Sequence, residues 1–156
     1  MDGHSFERLR AHILPLSVSS DFEVARTEWS LVAIEISEEF DQCPCGQDIK
    51  EHCYIRNRLN DNETYVGNVC INRFIQIDTG SLFEGLKRIA KDPTANPNSD
   101  LIEHAYRAGY LYGEKEYTFL KQTMRKRKLS LSQMAWKVKI NRRIVGNLVV
   151  RKRTSR

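Results

Sequence analysis

No stretch of this 156-residue chain approaches the ~18 consecutive apolar residues that a membrane-spanning helix needs, and the mean hydropathy is −0.53. The composition is that of a soluble protein. The opening residues, MDGHSFERLR, place an acid at position 2 and contain no apolar signal core, so no secretory leader is expected and the cytoplasm is the predicted compartment. A Gly-rich phosphate loop, a His-Glu-x2-His helix and a Gly-x-Ser-x-Gly elbow are all missing. So is the His-x-Glu and Pro-Cys-x2-Cys pairing of a zinc deaminase. Nothing in the sequence points to catalysis, and the chain is expected not to be an enzyme.

Acid is absent from the last quarter. Residues 117–156 hold 13 Lys+Arg and no Asp or Glu; with 25 Lys+Arg and 20 Asp+Glu in the whole chain, the preceding 116 residues carry a net −8. An acidic body bearing a basic C-terminal part favours an anionic partner: nucleic acid first, an acidic protein surface second. The plainer alternative is a solvated helix face packed near the protein's own acidic body.

Cysteine is scarce and confined. All four thiols lie between Cys43 and Cys70, spaced Cys43-x-Cys45-x7-Cys53-x16-Cys70. In a reducing compartment such a cluster reads as a metal site before it reads as disulfides. Four thiolates around one tetrahedral ion form a closed, structural zinc site. Pro44 stiffens the first turn and Gly46 accepts positive φ, which lets backbone N–H groups point back at sulfur. His52 competes with Cys53 for the fourth position. Adjacent strand residues face opposite sides, so only one of them can ligate, and Cys53 is preferred as the softer donor. Glu51 is the only acid placed to act as a base beside the site, and a shell of four cysteines leaves no open position for chemistry.

Along the chain, Ser20 with Glu23 suggests a capped short helix, and SLVAIEI a strand with Val32, Ile34 and Ile36 on one face. SEEFDQ reads as a polar approach to the cysteines. CYIRNRL and TYVGNVC flank NDNE as a β-hairpin, and INRFIQI could begin a helix. Ser81 with Glu84, Asp100 with Glu103, and Ser130 with Gln133 mark three helix starts. DPTANPN is the clearest break. The predicted organisation is an α+β zinc-binding module over 1–92, a basic helical region over 99–150 and a flexible tail over 151–156. Whether the first two pack as one domain stays open.

EYTFLKQTMRKRK and SLSQMAWKVKINRRI, joined by about three residues, have helix-turn-helix dimensions. Leu131, Met134, Ala135 and Val138 form the expected core stripe of the second helix. That leaves Arg125, Lys126, Arg127, Lys128, Lys137, Lys139, Arg142 and Arg143 for phosphate, with Arg56 and Arg58 on the hairpin as additional candidates. Gln133 is the sole candidate for a base edge, so phosphate contact is expected rather than sequence readout. His104, among Tyr106, Tyr110 and Tyr112, is expected to serve helix packing.

The segments CPCG, E-x-C-Y-I-R-N-R-L and E-T-Y-V-G-N-V-C-I-N-R-F, followed by LKRIAKDP and a closing KRKLS-x2-Q, resemble a family of small zinc-module proteins of bacteria and their phages. The resemblance covers roughly Glu28 to Asn141. It implies Cys43, Cys45, Cys53 and Cys70 as ligands to one structural Zn2+, and it carries no established activity. Gln47 stands where His is frequent in that pattern. Cysteine knuckle, hairpin and helix-borne last ligand together suggest a treble-clef-like module. The leading expectation is a zinc-stabilised nucleic-acid-binding protein. The second is a protein-interaction module, such as a phage-encoded adaptor or an inhibitor of a host nuclease or nucleic-acid-binding complex.

Overall fold

The computed structural model describes residues 3–151, with side chains described through 148. The chain is α+β and divides into two units, residues 1–78 with 151–156, and residues 79–150. The last five residues of the expected basic tail, 152–156, lie outside the described residues. No described helix is long and apolar enough to cross a membrane.

Unit 1 begins with α1 (Gly3–Ile13), which buries Leu9 and Ile13. Phe6 meets the edge of Phe22 at 5.4 Å and Phe74 at 5.0 Å. The short helix α2 (Phe22–Ala25) is capped by Asp21, whose side chain accepts from Glu23 N–H, so the cap sits one residue later than Ser20. Strands β1 (Trp29–Gln42), β2 (Asp48–Asn57) and β3 (Glu63–Gly67) form an antiparallel sheet. The sheet order is β3-β2-β1-β4, where β4 (Val149–Arg151) ends the described chain.

SEEFDQ, expected as a polar connector, continues β1. Its register against β2 breaks between Ile36 and Asp41, and again around Val32 between Leu31 and Ala33. These bulges interrupt the simple alternation: Ile34 is buried, but so are Glu35 and Ser37. The predicted hairpin is present as β2 and β3, with Asn57 N–H bonded to Asn62 O across its mouth. Buried Glu28 ties the hairpin to the chain's start by accepting from Val18 N–H, Ser19 N–H and Asn57 Nδ2 at 2.8–2.9 Å. INRFIQI contributes only the end of α3 (Asn68–Arg73).

Unit 2 is helical: α4 (Leu82–Lys91), α5 (Ser99–Arg107), α6 (Glu114–Thr123) and α7 (Leu131–Asn147). The division falls at 78/79 instead of in DPTANPN because the apolar face of α4 (Leu82, Phe83, Leu86, Ile89) is buried with the helices that follow it. The 92–98 loop is thereby interior to the unit and pinned by α7. Lys137 Nζ donates to Asn96 Oδ1 at 2.8 Å, and Asn141 Nδ2 to the carbonyls of Pro93 and Ala95, both at 2.8 Å. Asn98, not Asp100, caps α5, accepting from Leu101 N–H. Asp100 instead accepts from Ser81 N–H at the start of α4. The box at α7 is as read: Gln133 N–H donates to Ser130 Oγ and Ser130 N–H to Gln133 Oε1.

Candidate metal centre and basic surface

The end of β1 delivers the chain into a tight turn at Cys43. Gly46 N–H donates to Cys43 O at 2.8 Å, and Cys43 N–H to Gln47 O at 2.9 Å. Gly46 takes φ +98°, where any side chain is strained, and a Cβ there would also collide with the Arg8 guanidinium lying over the turn. Cys70 reaches the same place from the first turn of α3.

The sulfurs of Cys43, Cys45 and Cys70 all lie within 4.8 Å of one another, and all three residues are buried. Cys43 Sγ and Cys70 Sγ are 3.7 Å apart. A tetrahedron built on Zn–S bonds of ~2.3 Å has an edge of ~3.8 Å. The donor set and spacing therefore fit a tetrahedral thiophilic ion, and the cluster can hold a metal.

Gly67 supports the cluster from β3, donating its N–H to Cys43 Sγ at 3.3 Å. It packs so closely that a Cβ would sit 2.7 Å from Ile49 Cγ2. The sulfurs share protons unequally. The thiol of Cys70, bonded to Cys43, draws the Cys43 pKa down to about 6 against the opposing effect of burial, with help from the Cys45 and Gly67 amides. The same bond, and burial after it, pushes Cys70 up; burial foremost raises Cys45. Without metal the cluster is thus one thiolate held by protonated neighbours.

Cys53 stands apart from this group. It lies on β2 between Ile34 and Val66 in the ladder, fully buried. Burial first, then the charges of Glu51 and Cys43, push its thiol up. His52 occupies the adjacent register position between Glu35 and Gly67. Its Nε2 is 3.2 Å from Asp41 Oδ2 and its Nδ1 3.7 Å from Glu35 Oε1. Both ring nitrogens face carboxylates, and His52 is not a member of the thiol cluster. Gln47 offers the turn its backbone carbonyl, while the residue itself is exposed.

The basic candidates separate by environment. Arg56 is paired with Glu63, Nε to Oε1 at 2.7 Å. Arg58 donates to the carbonyls of Thr27 and Glu28. Lys137, expected on the outside of α7, is buried. Arg143 is half-buried, bound through both terminal nitrogens to Glu116 at 2.6 and 3.2 Å, with its guanidinium 3.5 Å from the Tyr112 ring centre. These side chains hold the fold.

The reason is that α7 is turned relative to the expected stripe. Leu131 is 93% exposed and Ala135 is exposed, whereas Lys137, Ile140, Asn141, Ile144 and Leu148 are buried. Arg125, Lys126, Arg127 and Lys128 also leave the expected helix: α6 ends at Thr123, and they lie on the connection 124–130, longer than the predicted turn. These four, with Lys139 and Arg142, are exposed. Among the described residues none of the six has a side-chain hydrogen bond or ion pair.

Three residues with structural leverage escaped the sequence reading. Gly67 had a signal in its place three residues before Cys70. Glu116 had one as the last acid before the acid-free segment: it is buried and accepts from Arg143, Trp136 Nε1 and Tyr112 N–H. Arg8 over the knuckle had none. Comparison with family models, curated proteins and solved structures gives no significant match to the chain.

Proposed function

We propose that this is a zinc-stabilised nucleic-acid-binding protein that contacts phosphates through Arg125, Lys126, Arg127, Lys128, Lys139 and Arg142. The observation that carries the reading is the exposure of these six cations without internal partners on a segment lacking any acid. Six phosphate contacts give a slope of about −5 in log K against log[salt], a loss of about 10³ in affinity between 50 and 200 mM salt. Gel shifts on DNA and RNA, single- and double-stranded, across that range test it. No binding at low salt overturns it. A bound protein that persists after nuclease treatment would instead favour an acidic protein surface as the partner.

The metal in this reading is one Zn2+ per chain, structural and non-catalytic, on Cys43, Cys45, Cys70 and Cys53. Knuckle, hairpin and α3 follow one another in treble-clef order, which supports the assignment. Support for Cys53 comes from its burial and from its coupling to the Cys43 charge. With three cysteines this thoroughly buried, a water ligand has little access, and Cys53 is the remaining soft donor. Native and denaturing mass spectra should differ by the mass of one zinc. A folded protein isolated without metal, and indifferent to added Zn2+, overturns this part.

A further inference from the structure

The outward ridge of α7 runs through Leu131, Ala135, Lys139, Arg142 and Gly146, each exposed and each three or four positions from the next. The opposite side of the helix is the buried one, with Ile140, Asn141 and Ile144. The ridge therefore points away from the core of unit 2. It combines small residues, which permit close approach, with two unpaired cations, and the four cations of the 124–130 connection enter at its N-terminal end. A 17-residue helix is about 25 Å long and 10–12 Å across, and the major groove of B-DNA is about 12 Å wide.

We infer that the occupant of this ridge is double-stranded DNA, with α7 in the major groove and residues 125–128 on the flanking phosphates. The inference rests on the nucleic-acid reading above and deepens it. Charge complementarity selects a polyanion. The make-up of the ridge selects a duplex, because a single-strand reader needs free aromatic faces for stacking and the ridge has none. Off the ridge, Trp136 has one face stacked on Phe119 at 4.3 Å with its Nε1 donating to Glu116, and Tyr112, though 74% exposed, has one face under the Arg143 guanidinium, so no run of successive stacking platforms follows the cations. RNA duplexes are disfavoured since their major groove is deep and narrow. Leu131 supplies an apolar group suited to a thymine methyl.

The test is fluorescence anisotropy of the full chain with a 20-base-pair DNA duplex, its RNA counterpart and the separate strands at matched salt. Dimethyl sulfate interference and netropsin competition should accompany it. The expected result is duplex DNA bound at least tenfold more tightly than RNA duplex or single strands. Methylation at guanine N7 should weaken the complex and netropsin should leave it intact. Ala135→Gln, on an exposed position, should reduce duplex affinity about tenfold with the circular dichroism unchanged. Equal binding of all probes, displacement by netropsin, or insensitivity to Ala135→Gln overturns groove insertion while leaving phosphate binding in place. Failure to bind any probe at low salt overturns the underlying reading instead.

Discussion

Loading the cysteine cluster with Zn2+ should release about three protons per ion at pH 7, and the number identifies the ligands. Zinc takes thiolates, so every ligand thiol protonated in the metal-free protein must give up its proton. With its pKa at about 6, Cys43 is already ~90% ionised at pH 7. Cys45, Cys70 and Cys53 are all raised above the ordinary thiol range and carry their protons. Four ligands therefore release about three, and the Cys53→Ser variant about two. Below pH 6 Cys43 is protonated as well, so the wild-type count climbs towards four and affinity falls more steeply. Isothermal titration in buffers of different ionisation enthalpy reads the number as a slope. A release near four at pH 7 would refute the hydrogen-bond account of Cys43. A release near two in the wild type would remove Cys53 from the site.

Two further outcomes concern unit 2. Glu116→Gln strips the charge from the acceptor that Arg143, Trp136 and Tyr112 share, and denaturant unfolding should show a loss of about 2–3 kcal/mol. Burial alone would raise Glu116, but the bonds from Arg143 and Tyr112 prevail and lower it. This contribution is therefore present above the carboxylate's unfolded value and is lost as pH falls through the folded one. His104 is pulled down to about 4 by burial and by Arg107. The unfolded chain protonates near 6.5 while the native one resists. Stability should be full above pH 6.5 and decline by about 3 kcal/mol towards pH 4, a decline that His104→Leu should flatten; a pH profile unchanged by that substitution refutes the assignment.

The hairpin and the α7 capping box were legible in the sequence because each depends on neighbours a few residues away. NDNE needs only its own turn chemistry, and Ser130 and Gln133 satisfy each other. The face of α7 was not legible. Its buried side includes Lys137 and Asn141, polar residues whose place depends on carbonyl and amide partners in the 92–98 loop, more than forty positions upstream. Periodicity that counts apolar letters passes over such residues and settles on Leu131 and Ala135. The prolines and asparagines of the same loop read as a break, yet within it Pro93, Ala95 and Asn96 are the acceptors that fasten α7. The thiol cluster was partly legible. Spacing identified its members, but the ladder position of Cys53 depends on strand pairing with Ile34 and Val66, which spacing does not encode.

Strand β2 sets a histidine among carboxylates on one side and a thiol among aliphatics on the other, in consecutive positions. A slip of one residue would carry an imidazole into the oily layer and a cysteine among the acids, so the strand has a single tolerable alignment. That alignment is specified by the side chains on both faces of the strand. Chelation should then empty the site and leave its frame standing, ready to be filled again. A zinc finger whose fold depends wholly on the metal collapses when it is stripped; here the expected outcome is a strand signal in circular dichroism that persists after chelation, with stability regained on adding Zn2+, and loss of that signal refutes it.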